Sequence, residues 1–234
     1  MQTEQLVTAL LRHQQEFHPV VSFNPATDKL LSLDFTDNNK ELTAELLEDT
    51  SKFSDYINHK LQTTNHKLGI GGYAEHRTVY SRSKVFDAGK PGEEPRRLHL
   101  GVDIWSDAGT KVFAPLGGMV HSFAFNNHFG DYGVTIILLH QLDGVPFYTL
   151  YGHLSLKDIE GLKEGAYVNR GQIIAHLGEP NENGHWPPHL HFQLIMDMQM
   201  KKGDYPGVCK FSEKEFYLRN CPDPDLILQL NKYL

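Results

Sequence analysis

Cysteine is scarce in this sequence, with only Cys209 and Cys221 among 234 residues. Two cysteines are too few for a disulfide framework, and their spacing is not the Cys-x-x-Cys of a zinc or redox motif. We therefore interpret both as small, buried, reduced residues that behave as hydrophobic side chains.

Positive charge is also in short supply. The chain has 22 lysines and arginines against 29 aspartates and glutamates, a net charge of −7, and a pI of about 6.0. Nucleic-acid binders usually present a basic patch, and anionic surfaces attract cationic proteins. We therefore expect neither a nucleic acid nor a membrane as partner.

Long apolar runs are missing too. No stretch approaches the roughly 18 apolar residues of a membrane span. The apolar run at 6–11 is short, follows Glu4 instead of a basic region, and fits a helical stripe better than a secretory signal. We expect a cytoplasmic protein, or an envelope or extracellular one if a leader has been removed.

The composition changes near residue 65 and divides the chain into three parts. Residues 1–65 are predicted to be a helical segment, with helices at 3–17, 39–49 and 52–62 and a short strand at 30–35. We take Asn38 or Asn39 and Ser51 as the N-caps of the second and third helices. Residues 66–200 should form a β domain, and residues 201–234 a tail on the core with helices at 212–219 and 224–234.

The β domain is read from short runs between glycine and aspartate turns. Strands are predicted at 78–85, 98–105, 111–114, 119–125, 134–140, 147–151, 172–176 and 189–196. Because most of these follow one another without an intervening helix, an antiparallel sheet or sandwich is favoured over a parallel βαβ array. The predicted fold class is α+β, mainly β, with a compact antiparallel core.

Histidine, by contrast, is abundant, with fourteen residues, and it is the commonest metal ligand. Three pieces of the β domain carry the informative ones: His-Leu-Gly-Val-Asp from 99, Tyr-Gly-His-Leu-Ser around His153, and His-Leu-His-Phe from 189. Alternate residues of a strand share a face, so His189 and His191 should lie about 7 Å apart on one side. This suits two ligands of one metal, or one ligand beside a proton-transfer group.

His99 and Asp103 can meet only if the chain bends. In a straight strand they would lie about 13 Å apart, too far for two ligands about 2.0–2.2 Å from one Zn²⁺. Gly101 between them is the residue type that tolerates a kink or bulge. Two histidines and one carboxylate form the ligand set of a catalytic zinc, with a fourth position left for water.

Together these motifs resemble the lysostaphin-type (LytM-like) zinc metallopeptidases, bacterial endopeptidases that cut peptide cross-links of peptidoglycan. The resemblance covers about residues 95–196, including the segments 109–115, 117–120 and 130–133. It implies a compact antiparallel β fold, one zinc ion per chain, and a peptide or peptidoglycan fragment as substrate. It further implies that three residues hold zinc, namely His99, Asp103 and His191.

The same resemblance assigns His153 and His189 to the catalytic water and the transition state. A neutral imidazole can take a proton from the water and return it to the leaving amine. A second imidazole, if protonated, can stabilise the developing oxyanion. The chemistry would be amide hydrolysis without a covalent enzyme intermediate.

The approach to the last motif departs from the family pattern. Residues 181–188 are longer, bulkier and stiffer than the usual short Gly/Ser/Thr turn, and Trp186 is expected to form a wall of the substrate groove. The other histidines of the β domain are interpreted as turn or strand-end residues: His121, His128, His140, His176 and His185. For His185, which lies four residues before His189, entry into the groove stays open as an alternative. The tail segments 203–209 and 221–224 resemble a divergent branch found beside kinase-like and aminotransferase domains.

Two alternatives stay open at this point. One is a non-catalytic, zinc-containing binding or regulatory module, which the intact set of five site residues disfavours. The other is a cytosolic zinc hydrolase of a small amide or ester, which the stiff segment 186–188 favours. Residues 81–84 match Ser-x-x-Lys but lack its partner motifs, and the charged residues at 93–97 are interpreted as a solvated loop.

Overall fold

The N-terminal part of the chain is mostly helical. A computed structural model describes residues 2–87, 89–90 and 92–234. Its first elements are helix α1 (Gln2–Arg12), strand β1 (Leu30–Leu33), helix α2 (Ala44–Glu48) and helix α3 (Thr50–Thr63). The predicted N-caps were wrong: the Thr43 side chain caps α2, and the Asp49 carboxylate accepts the first backbone N–H groups of α3.

Eleven further strands follow among the described residues. They are β2 (Leu68–Gly71), β3 (Leu98–His99), β4 (Val102–Trp105), β5 (Lys111–Phe113), β6 (Gly118–Asn126), β7 (Gly133–Leu142), β8 (Val145–Leu154), β9 (Tyr167–Val168), β10 (Ile173–His176), β11 (His189–Ile195) and β12 (Val208–Cys209). Eight strands form one sheet in the order β1-β2-β4-β11-β8-β7-β6-β9. Two small ladders, β10–β5 and β12–β3, lie beside it.

The mainly β, α+β fold class is confirmed, with one difference in strand direction. All neighbours in the large sheet are antiparallel except β1 and β2, which pair in parallel. A parallel pair needs a long crossover, and helices α2 and α3 supply it here. Strand β2 escaped the sequence analysis because two of its four residues are glycine, a residue depleted in strands.

The predicted strand at 78–85 is wrong. This stretch forms two 3₁₀-helices, Thr78–Arg82 and Lys84–Phe86. Val79 and Arg82 are both buried, which is the i, i+3 spacing of a 3₁₀ turn rather than the alternation of a strand. The Ser83 hydroxyl accepts the Val85 N–H and starts the second turn.

The tail is helical but broken into short pieces. A 3₁₀ turn (Phe211–Glu213) precedes helix α4 (Lys214–Asn220), and helix α5 (Asp225–Leu228) precedes a second 3₁₀ turn (Asn231–Tyr233). The predicted helix at 224–234 is interrupted at Gln229, which has a left-handed backbone with φ of 51°. No helix of the described chain combines the length and apolar character that spanning a membrane would require.

Two of the three apolar clusters among the described residues join the N-terminal helices to the sheet. The larger one joins Leu6 and Leu10 of α1 to the core side of the sheet. The second packs Phe53 and Ile57 of α3 beneath Trp105 and Trp186. The central strands β4, β11 and β8, which carry four of the five candidate site residues, therefore have helical support from the N-terminal part of the chain.

Candidate metal centre

Strand β11 provides two of the candidate residues from the middle of the sheet. It lies between β4 and β8, so that His191 stands opposite Asp103 on one side and Gly152 on the other. His189 is registered with Trp105. The expected alternation is present: Leu190 belongs to the hydrophobic core, while both histidines line a cleft on the opposite face.

The predicted bend at Gly101 is confirmed. The ladder breaks there, since β3 ends at His99 and β4 begins at Val102. A Cβ atom on Gly101 would lie 2.6 Å from the His191 ring and 2.8 Å from the Phe192 carbonyl oxygen, too close for any other side chain. The bend brings His99 Nε2 to 3.2 Å from Asp103 Oδ1.

His99, Asp103 and His191 meet in a buried group. His191 Nδ1 lies 3.0 Å from His99 Nε2 and 3.1 Å from Asp103 Oδ1. The three ligand atoms, one from each residue, all lie within 4.8 Å of one another and could hold a metal ion. Two nitrogens and one carboxylate oxygen are donors that suit Zn²⁺ and leave one tetrahedral position open.

The outer hydrogen bonds of the two histidines fit a metal as well. His99 Nδ1 lies 2.9 Å from the Gly72 carbonyl oxygen, and His191 Nε2 lies 2.8 Å from Gln193 Oε1. Both oxygens can only accept, so each ring donates its N–H outward and turns its other nitrogen's lone pair inward. Lone pairs about 3 Å apart repel one another unless a cation or proton lies between them, so the group fits zinc.

Arg77 adds a cation that sequence analysis missed. Its Nη1 lies 2.5 Å from Asp103 Oδ2, and both side chains are buried. Burial acts to raise the pKa of Asp103, but contacts with His99, Arg77 and His191 hold that pKa well below its usual value. Burial also lowers the pKa of His99 to about 4, and the Arg77 charge adds to this. No spacing signal marks Arg77, which lies 26 residues before its partner.

His153 and His189 lie side by side near the metal group. Their ring centroids are 4.1 Å apart, and the His189 ring stacks on Trp105 at 3.9 Å. His153 Nδ1 donates to the Asn183 carbonyl at 2.7 Å, and His189 Nδ1 donates to the Pro187 carbonyl at 2.8 Å. Each ring therefore keeps Nε2 as a free base.

Burial favours the neutral form of both rings. It lowers the pKa of His189 to about 4. It also lowers the pKa of His153 well below the usual value, with a further contribution from His189. Near pH 7 neither ring therefore carries the positive charge of a protonated imidazole.

A cleft of about 140 Å³ is lined by four of these five residues, namely Asp103, His153, His189 and His191. Trp186 lines it, as predicted, together with Tyr132, whose hydroxyl donates to the Tyr205 carbonyl at 3.1 Å. His185 is not among the lining residues; its ring stacks on Phe129 with centroids 5.6 Å apart. His185 therefore lies outside the groove, in the irregular segment before β11, which agrees with a turn residue and excludes the alternative.

The two cysteines, His140 and Arg97 all lie outside the metal group. Cys209 and Cys221 are buried free thiols, as predicted. His140, interpreted as a turn or strand-end residue, is buried within β7, two residues before the strand ends, and its ring is bonded to Gly117 and Thr149. The solvated-loop interpretation of 93–97 is wrong for Arg97, whose mostly buried side chain pairs with Asp87 at 2.7 Å.

The β region is similar in sequence to known proteins. Residues 97–203 match the family model described as Peptidase family M23. The L-Ala--D-Glu endopeptidase of Bacillus subtilis (strain 168) is 33% identical over 127 residues, covering 52% of this chain and 36% of that protein. Lysostaphin of Staphylococcus simulans is 34% identical over 100 residues, covering 43% and 18%. The chain thus spans about a third or less of the length of these relatives.

A solved structure is also similar. The catalytic domain of lysostaphin from Staphylococcus simulans covers 66% of this chain and 93% of its own, with 26% identity and a TM-score of 0.39. The sequence matches and the site define the β region as a metallopeptidase domain. Residues 97–203 are a Peptidase family M23 domain, homologous to lysostaphin, and the resemblance seen in the motifs is confirmed. Peptidases of this family are zinc-dependent, in agreement with the His-Asp-His group.

Proposed function

We propose that this chain is a zinc-dependent peptidase that hydrolyses a peptide amide bond of the kind found in peptidoglycan. The observation that carries the proposal is the pairing of a buried His-Asp-His group with two neutral imidazoles along one cleft. The relatives named for endopeptidase activity support the substrate class. Such a substrate would place the activity at the cell envelope.

The binding roles follow from the donor atoms. His99 Nε2, Asp103 Oδ1 and His191 Nδ1 would hold one zinc ion per chain. When bound, zinc lowers the pKa of a water molecule towards 7 and polarises the scissile carbonyl. Gly72 and Gln193 keep the two ligand rings turned with their lone pairs inward.

His153 and His189 would carry the protons. Each is neutral near pH 7 and has its Nδ1–H held by a backbone carbonyl, so that Nε2 can accept the proton of an attacking water. The ring that has taken up the proton can then donate it to the leaving amine or to the developing oxyanion. The Trp105 stack keeps the plane of His189 fixed during this transfer.

The test measures zinc content and peptide turnover on the same preparations. We expect the alanine variants of His99, Asp103 and His191 to lose zinc. His153→Ala and His189→Ala should keep zinc, because neither ring belongs to the ligand group, yet lose about 10²–10⁴-fold in turnover. His185→Ala is the matched control and should keep both, since its ring lies outside the cleft.

The substrates in this test are a panel of glycine-rich and D-amino-acid-containing peptides and purified muropeptides, read by mass spectrometry. Absence of zinc from protein made with ample zinc would refute the metal assignment. Equal turnover in the parent, His153→Ala and His189→Ala would refute the catalytic assignment. Binding of a cell-wall fragment in the cleft without any cleavage would show that the protein is a binding module and not an enzyme.

The approach to the cleft supports a second candidate, a zinc hydrolase of a small amide, because the bulky, buried Trp186 side chain lines the cleft. This candidate predicts that dipeptide amides are cut faster than muropeptides in the same panel, and it fits a cytoplasmic location.

A further inference from the structure

The segment just before the family-matched region wraps around the metal group. The Gly72 carbonyl oxygen accepts hydrogen bonds from both His99 Nδ1, at 2.9 Å, and Arg77 Nη2, at 3.0 Å. Backbone bonds tie the same segment to β3, since His99 N–H donates to the Glu75 carbonyl and Ala74 N–H donates to the His99 carbonyl. Residues 72–77 precede the matched range 97–203. The centre therefore includes contacts that the matched domain alone does not contain.

Arg77 is held in this segment from several directions. Its side chain is 1% exposed. Besides Gly72 it donates to Glu75 Oε2 at 2.9 Å and to the Tyr80 hydroxyl at 3.3 Å, and it lies 5.3 Å from the Phe35 ring centroid. A planar guanidinium with this many partners has one orientation.

That orientation divides the two oxygens of Asp103 between different partners. Oδ2 accepts the Arg77 Nη1 hydrogen bond at 2.5 Å. Oδ1 lies 3.1 Å from His191 Nδ1 and 3.2 Å from His99 Nε2, inside the ligand group. Only one carboxylate oxygen therefore faces the position where a metal would bind.

We propose that Arg77 is a positioning residue, which presents Asp103 to zinc through Oδ1 alone and balances the Asp103 charge when the metal is absent. The inference rests on the proposed function, since zinc is the occupant. A buried carboxylate that loses its cationic partner is strongly destabilising. Partners of ligating groups also orient those groups and tune the metal site.

Two consequences follow for a variant without this cation. In metal-free Arg77→Met, the Asp103 charge is left without its cationic partner, whereas bound zinc would supply a cation. The metal-free protein should therefore lose more stability than the zinc-loaded protein. In addition, Oδ2 becomes free to turn towards the metal, so the coordination should change.

The first experiment compares melting temperatures of the full chain after chelator treatment and after addition of ZnCl₂. We expect the zinc-induced rise in Tm to be larger in Arg77→Met than in the parent by about 5 °C or more. Arg97→Met is the matched control, because Arg97 is also mostly buried, with 13% of its side chain exposed, and pairs with a carboxylate away from the metal group. Its zinc-induced rise should equal that of the parent.

The second experiment records the visible absorption of the same proteins loaded with Co²⁺ in place of zinc. A change in coordination number alters the intensity of these bands, so Arg77→Met should differ from the parent while Arg97→Met should not. If Arg77→Met does not fold in either state, Arg77→Gln replaces it in both experiments, since the amide keeps a donor but removes the charge.

The outcomes separate this inference from the proposed function. A parent chain that takes up no zinc would refute the proposed function itself. A parent that binds zinc, with Arg77 variants that match it in zinc-induced Tm rise and in Co²⁺ spectrum, would overturn only the positioning role of Arg77. Equal losses of Tm with and without zinc would mean that Arg77 is merely structural.

Discussion

The four histidines of the site share one pattern of hydrogen bonding. Each ring donates one N–H to an oxygen acceptor and leaves the other nitrogen facing the metal group or the cleft. Three of the acceptors are backbone carbonyls, which no side-chain substitution removes: those of Gly72, Asn183 and Pro187. The fourth is the Gln193 side chain, which can be changed. The orientation of His191 therefore has a residue-scale test of its own.

Gln193 is itself held in place with its oxygen towards His191. Its Nε2 donates to the Pro206 carbonyl at 3.1 Å and to Cys221 Sγ at 3.2 Å, so Oε1 is left to accept from His191 Nε2. We expect Gln193→Leu to weaken zinc binding about 10–100-fold, because the His191 ring loses the acceptor that orients it. The measurement is zinc affinity by competition with a chromophoric chelator.

Gln193→Glu serves as the control for this prediction, since a carboxylate keeps an acceptor for His191. It should bind zinc more tightly than Gln193→Leu. Parent-like zinc affinity in Gln193→Leu would show that the hydrogen bond from His191 has no orienting role.

Among the elements, β7 carries a buried histidine that couples stability to pH. His140 is 2% exposed, and its ring joins the Gly117 carbonyl at 2.9 Å to Thr149 of β8 at 2.7 Å. Burial lowers the pKa of His140 to about 4, against 6.5 for a free side chain. Between these values the unfolded chain binds a proton that the folded chain does not. The contribution of His140 is therefore complete above pH of about 6.5 and is lost as the pH falls towards 4.

We expect His140→Gln to make the free energy of unfolding less dependent on pH in this window. One proton corresponds to a slope of about 1.4 kcal/mol per pH unit, and the variant should lose up to that amount from the parent slope. Urea unfolding of the zinc-loaded proteins at several values between pH 4.5 and 7 measures it. Thr149→Val is the control, because it removes the hydroxyl partner without removing a titrating group, and it should keep the parent slope. An unchanged slope in His140→Gln would contradict the assignment.

At the scale of the whole molecule, residues 1–65 lie behind the site rather than over it. None of the described residues that line the cleft comes from this part of the chain. Phe53 of α3 packs 6.1 Å from Trp105 and 6.5 Å from Trp186, measured between ring centroids, and Trp105 in turn stacks on His189. We propose that the N-terminal segment 1–65 supports the β domain at 66–200, on which the tail 201–234 also packs.

If residues 1–65 support the β domain, changes that weaken their contacts should lower the stability of the protein without raising its activity. Phe53→Ala should cost about 3–5 kcal/mol of unfolding free energy, the usual range for a buried phenylalanine, and should not raise turnover. Deletion of residues 1–65 should destabilise the protein further, because it also removes β1 from the sheet edge. Urea unfolding and peptide turnover measure both effects.

Phe216→Ala is the matched control for Phe53→Ala, since the Phe216 side chain is 57% exposed, and it should leave the unfolding free energy nearly unchanged. A stable truncated chain with sharply higher turnover would contradict support and indicate that residues 1–65 inhibit the enzyme.

Local sequence determined much of the fold and marked the histidines and the aspartate from which the candidate metal group is drawn, while the choice of His191 over His189 as a ligand came from the family resemblance. Alternating His189 and His191, the glycine between His99 and Asp103, and the dense β texture after residue 65 are short-range signals. Each depends on periodicities of a few residues or on the conformational freedom of glycine. The α+β class, the bend at Gly101 and the family resemblance follow from such signals, because a strand carries its own side-chain alternation wherever it lies in the fold.

Only the tertiary structure decided the partners that come from distant parts of the chain. Arg77 meets Asp103, β1 pairs in parallel with β2, and residues 78–86 form 3₁₀ turns where a strand was predicted at 78–85. The His185 ring lies on Phe129 instead of in the cleft. These outcomes depend on which surfaces meet after folding, and burial beside a carboxylate or an aromatic ring leaves no periodic mark in the sequence.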